Sequence, residues 1–259
     1  MFALRWSPGV IDETGIKEGN ELMSNRLHRE MEAALMERML PFAEDVFGDE
    51  AINEALLLFL DDDDAGEFDL DDPLNTIFIP WFLFTWRIEN EDEKPTPEAP
   101  MMKTVAEAFL DAKRSELTPD MVALIEAAIR RPFSFYQVLE TVSGKTLKLE
   151  DLLLGHTIDV VEDAASTSLR QGEIVMGSLL RPMNGVVRPL TLSPFALEKG
   201  EKITIQELKE EVSANAAASE LSEEILLQQE AFVIGLYLDI VDEMLDEEDA
   251  EQPTPPKRR

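Results

Sequence analysis

The hydrophobic period of this chain changes twice, and that change restricts its fold more than any other feature. From Asn25 onward apolar residues recur at helical spacing, as in Leu27, Met31, Leu35 and Met39, which share one face. Between Phe133 and Lys199 the period falls to two, in short runs such as SFYQVLETV, KTLKLEDLLL, TIDVVE, EIVMGSLLR and GVVRPLTL. After Lys199 the helical pattern returns. The two periods put side chains on different faces, so one segment does not serve both structures. The expected class is α+β: an N-terminal helical region, a small five-stranded antiparallel β-barrel-like module, and a long C-terminal helix.

Boundaries follow from composition. Residues 1–22 are polar and without period, and read as a flexible N-terminal arm; Met23 has the look of a protein start. Residues 23–131 form the helical region, 132–200 the β module, 201–248 the C-terminal helices, and 249–259 a disordered tail. Pro41 is expected to end or kink the first helix. A second should run from about Asp49 to Leu60. Asp72-Pro73 signals another helix start. The segment Leu74–Ile88 carries Trp81, Phe82, Phe84 and Trp86 and is apolar nearly all round, as a central buried helix would be. A strand is the other reading of TIFIPWFLF. Thr118-Pro119-Asp120 combines an N-cap, a first-turn proline and a first-turn acid. Ser143-Gly144 and Asn184-Gly185 fall where hairpin turns are needed, the second with type I′ chemistry. Thr204 and Glu207 read as a capping box. Ser219 should cap a long helix whose Leu221, Ile225, Phe232, Leu236 and Ile240 form an apolar face that packs back on the N-terminal helices.

The formal net charge is −31. It is unevenly placed. Between Arg38 and Arg87 there are thirteen acids and no base, and between Lys209 and Lys257 fourteen acids and no base. These blocks carry −27 of the total, whereas the β region from Phe133 to Lys199 holds eight acids against six bases. Such a chain repels phosphate backbones and anionic membranes and attracts basic proteins. There is no cysteine and there are two histidines. Disulfides, thiolate nucleophiles, iron–sulfur clusters and multi-histidine metal sites are therefore excluded. No secretory signal or membrane span is read in the sequence, and a cytoplasmic protein is expected.

The stretch DDDDAGEFDLDD holds eight acids in twelve residues between two apolar segments. Asp61, Asp63, Asp69 and Asp72 fall at ligand positions of a twelve-residue calcium loop. Ala65 stands where a further oxygen ligand belongs, and Asp72 is shorter than the usual glutamate. A solvated connection is the principal reading, with weak Ca2+ or Mg2+ binding as the sharper one, and no other cofactor is expected. His28 and Glu32 lie one turn apart and read as a surface pair. His156 follows Gly155 in a turn, with no nucleophile evident nearby. No catalytic set is legible, and P-loop, dinucleotide and G-x-S-x-G patterns are absent.

Two stretches resemble a family. IPWFLFTWR (79–87) is similar to the central WFLF helix of bacterial SEC-C-motif proteins. Residues 131–180 are similar to the strand-and-turn pattern that follows it. Ser134, Tyr136 and Val138 match one strand; Leu147, Leu149, Asp151, Leu152 and Gly155 match the next strand and turn; Glu162, Ala165, Ser166, Leu169, Gly172 and Glu173 match the segment beyond. The resemblance spans roughly Leu74 to Leu192 and implies helices followed by a small β module in a bacterial cytosolic protein. The namesake motif needs cysteines, which this chain lacks, so its zinc does not carry over.

The function expected from these features is non-catalytic: an interaction or regulatory protein whose acidic helices bind a basic partner protein. Asp242, Glu243, Asp246 and Glu247 are the candidate contact residues. A metal-dependent hydrolase or nuclease built on Asp clusters, or a nucleic-acid-binding small barrel, are the alternatives. Oligomeric state is not legible.

Overall fold

A computed structural model describes residues 13–48, 50–61, 69, 71–87, 103–217 and 220–251, with side chains described from 27 to 245 within those ranges. In chain order the elements are α1 (Glu13–Phe47), α2 (Ala51–Leu60), α3 (Asn75–Phe84), α4 (Val105–Lys113) and α5 (Pro119–Ala128). There follow β1 (Ser134–Val142), β2 (Thr146–Asp151), β3 (Thr157–Val161), α6 (Ala165–Ser168), β4 (Ile174–Leu179) and β5 (Pro189–Leu192). The chain then forms α7 (Lys202–Asn215), α8 (Glu223–Gln228) and α9 (Glu230–Glu251).

The α+β class is as expected. The first helix is longer than its periodicity suggested, because the backbone is already helical at Glu13 inside the supposed arm, and it continues through Pro41. Pro41 sits on the exposed side, where the carbonyl deprived of its partner can meet water. α3 is a helix and not a strand. Ile77, Phe78 and every residue from Pro80 to Phe84 are buried. It begins two residues after Pro73. Thr104 closes a capping box on α4 with Glu107, and Thr118 caps α5 as read.

α3 organises an aromatic ladder. Phe78, Phe82 and Trp86 follow one another at i+4, with ring centroids 6.1 and 5.1 Å apart. Phe59 of α2 meets Phe78 at 5.3 Å and Trp81 at 5.4 Å. Phe47 of α1 meets Trp86 at 6.3 Å. α4 packs on both α1 and α3.

The sheet has the order β3-β2-β1-β4-β5, with every neighbouring pair antiparallel. Asn184 (φ 53°) and Gly185 (φ 76°) make the left-handed pair of the turn before β5. Alternation sorts the side chains. Phe135, Ile174 and Met176 join the core shared with the helices. Tyr136, Val138, Leu147, Leu149, Val160, Val175 and Leu179 form a second cluster on the concave face. The curl brings β3 towards the approach to β5, where Val160 and Val187 form one parallel bridge. The barrel-like module is therefore only half closed. β5, four residues long, leans on α3 through Thr191 Oγ1, which donates to the Thr76 carbonyl; Leu190 packs on the core shared with the helices and Leu192 on the concave cluster. Gly177 is needed at the β4–β5 contact, since a Cβ there would lie 2.5 Å from the Thr191 carbonyl oxygen.

The C-terminal part departs most from expectation. Thr204 lies inside α7, which starts at Lys202 without a side-chain cap. The single long helix is two, broken at Gln229, with Ser222 capping α8. Ser219 lies outside the described residues. The break rephases the apolar face: Leu226, Val233, Ile234, Tyr237, Ile240 and Val241 are buried, while Phe232 is 45% exposed. α9 nonetheless packs back on α2, as its apolar face suggested.

Trp81 is buried at the centre of this assembly. Trp81→Ala should cost about 3–5 kcal/mol by removing a large core ring and leaving a cavity. Urea unfolding would measure it, and parent-like stability would contradict the central place given to α3.

Candidate functional site

The acids of the loop before α3 act locally. Asp61 takes the left-handed conformation (φ 50°) that ends α2, its N–H bonding the Leu57 carbonyl. Asp69 Oδ1 accepts from the Asp71 N–H at 3.0 Å, and Asp72 Oδ1 from the Leu74 N–H at 2.7 Å. These are Asx-type bonds that fold the turn into α3. Asp63 lies outside the described residues, so the loop's cation chemistry is not visible as a set. Among the described residues no three His, Asp or Glu side chains are grouped to hold a metal ion.

Asp242 and Glu243 are exposed on α9; Asp246 and Glu247 continue that helix, their side chains outside the description. The sequence separates them from the first acidic block by the whole β module. In the fold α9, which carries them, packs on α2, a helix drawn from that first block. Exposed Glu50, Glu54 and Asp61 accompany α2, and Asp239, Asp242 and Glu243 accompany α9.

Where α9 begins, one acid is buried. Glu230 is 8% exposed, beside Trp81 and Arg87. Burial pushes its carboxyl up to about 8, against the Trp81 hydrogen bond and the Arg87 charge, which pull it down. Burial and then the neighbouring Arg130 lower Arg87, while Glu107 and Glu230 raise it. Nothing in the acid-rich sequence around Glu230 distinguished it from its exposed neighbours.

A second buried carboxylate sits on the concave face of the sheet. Asp151 ends β2 in the row of Leu147 and Leu149 and is 1% exposed. Its Oδ1 accepts from Ser134 Oγ (2.6 Å), the Leu153 N–H (3.0 Å) and the Leu154 N–H (2.8 Å). Its Oδ2 is buried without a partner. Burial raises its proton affinity above the usual carboxylate value, opposed by those bonds and by His156. Burial and Asp151 together hold the opposing Tyr136 hydroxyl well above the ordinary phenol. Nearby, Arg131 makes a bidentate pair with Glu223 of α8 at 2.5 and 2.7 Å, and its Nε donates to the Leu179 carbonyl at 2.9 Å. The sequence held one signal for this group: period two puts Ser134, Tyr136 and Asp151 on the inward rows.

The two histidines part company. His28 is buried, with Nε2 3.2 Å from Glu32 Oε1, so the pair is not at the surface as expected. His156 is exposed in the turn after β2, near Asp151. Ser134 Oγ donates its hydrogen bond to Asp151 and not to His156, so these two do not form a serine–histidine nucleophile pair.

Among the described residues no helix is long and apolar enough to cross a membrane. No protein-family model, no curated protein and no solved structure matches the chain.

Glu230 generates a pH dependence. Its folded value near 8 lies above the ordinary 4.5, so the folded state keeps a proton that the unfolded chain releases. Stability from this group falls as pH rises through that window and levels off above it. Glu230→Gln keeps the neutral shape at every pH. Its melting temperature should equal the parent's near about pH 4 to 5 and exceed it increasingly towards about pH 8. A difference that does not change with pH would show that Glu230 titrates as a surface acid.

Proposed function

We propose that this protein is a non-catalytic interaction or regulatory protein that binds a basic partner through an acidic surface on α2 and α9. The observation that carries the reading is the packing of α9 on α2. It sets side by side two helices drawn from the two base-free segments, which together hold −27 of the net charge of −31. A field built from both is stronger than either half, and it speeds encounter with a protein of opposite sign. The same charge opposes direct nucleic-acid binding, which needs bases against phosphate. The kinship with bacterial SEC-C-motif proteins, and with it a cytoplasmic setting, belongs to the same proposal and rests on the segments 79–87 and 131–180.

The reading predicts kinetics. Changing Asp242, Glu243, Asp246 and Glu247 together to Asn and Gln should slow association with a basic protein captured from a cell lysate, with a smaller effect on dissociation. Binding should weaken steeply between roughly 50 and 300 mM salt, as the screening length shortens. Surface plasmon resonance would measure both. Association unaffected by salt or by the fourfold change would overturn the acidic surface.

A further inference from the structure

The concave face of the half-barrel opens into a cavity of ≈ 230 Å³. Its lining includes Tyr136, Ile158, Leu179 and Val187, with Asp151, His156 and the Arg131–Glu223 pair at its polar end. At about 30 Å³ per water this space holds a molecule of only a few heavy atoms. An apolar wall with a few converging polar groups is the usual form of a small-molecule site.

One polar atom beside it has no partner. Asp151 Oδ1 is saturated by Ser134 and two backbone N–H groups, whereas Oδ2 is buried and unpaired. Asp151 also borders the groove against α7, but its side chain shares the inward row of Leu147 and Leu149, which lie in the concave cluster. A buried carboxylate oxygen left without a donor is costly, and a native fold that keeps one invites a ligand to supply it.

The charges choose the ligand. Arg131 spends its fork on Glu223 and its Nε on the Leu179 carbonyl, so an anion would have to break an existing pair. The lining holds two carboxyl groups, Asp151 and Glu223, against one guanidinium. A cationic donor meets both needs, and a charge-assisted hydrogen bond is roughly twice as strong as a neutral one.

We propose that the mouth of the half-barrel binds a small organic ammonium ion, its N–H groups on Asp151 Oδ2 and its apolar body against Tyr136, Ile158, Leu179 and Val187. Oδ2 is sealed from solvent, so entry needs a lining side chain to rotate. His156 is an exposed member of that lining. This site is separate from the acidic helices and does not rest on their partner.

The test is a methyl-detected NMR titration of the full chain with butylammonium, with butanol and butyrate as size-matched controls. Butylammonium should shift the Ile158, Leu179 and Val187 methyls saturably, butanol at least about tenfold more weakly, and butyrate not at all. Asp151→Asn keeps the Oδ1 acceptor and places a donor where Oδ2 was, and it should weaken binding by at least about tenfold. Val187→Phe fills the cavity without touching the carboxylate and should also abolish the shifts, which covers the case in which the asparagine variant does not fold. Shifts that spread without saturation over α2 and α9 would show only counter-ion gathering. That result, equal binding of butanol, or parent-like binding by Val187→Phe would each overturn the site.

Discussion

A helix that is apolar on every side has to be enclosed on every side, and α3 imposes that condition on the whole fold. Its core residues leave no polar stripe to face water. α2 closes it through Phe59, α4 lies along it, and β5 reaches it through Thr191 and Thr76. The start of α9 arrives at Trp81 with Glu230. The return of the C-terminal chain is thus part of burying α3, and it brings α9 against α2. Hydrophobic burial places the charges; the charges themselves, being repulsive, would keep the helices apart.

The same core limits the sheet. Its convex side shares one cluster with the helices, including Phe133, Phe135, Ile174 and Met176. The concave side is left to fill itself, and it does so only partly, because β5 is committed to α3. The result is a curled sheet with one bridge across its gap and a cavity at its mouth. Arg131 stands between the two regions. Its pair with Glu223 ties the start of β1 to α8, and its Nε bond ties both to the end of β4.

Much of this was legible in the residues. The change of period marked all five strands, Thr118-Pro119 opened α5, and the unbroken apolar run over Trp81 marked the buried helix. The misreadings have physical causes. Pro41 was expected to end or kink α1, and the helix does not end there, since an exposed proline costs one hydrogen bond whose free carbonyl water can take. The face assigned to the last helix failed at Phe232 because the break at Gln229 shifts the phase, and local pattern does not reveal a break that tertiary packing selects. The left-handed Asp61 ends α2 where the acidic run begins. Asp151 and Glu230 were hidden for a simpler reason. Among the described acids of a chain that has 54, burial alone separates these two from the rest, and burial is a property of the assembled fold.

Native-state hydrogen exchange tests the central claim most directly, since it reads which segments open together. If α3 unites the core, the slowest amides of α3, α9, β1 and β4 should exchange through one shared opening, with the same free energy and the same denaturant dependence. If α9 exchanges through a separate, lower-energy opening while α3 and the sheet stay protected, the C-terminal helix is not part of that core. The proposed acidic surface would then lose its structural basis.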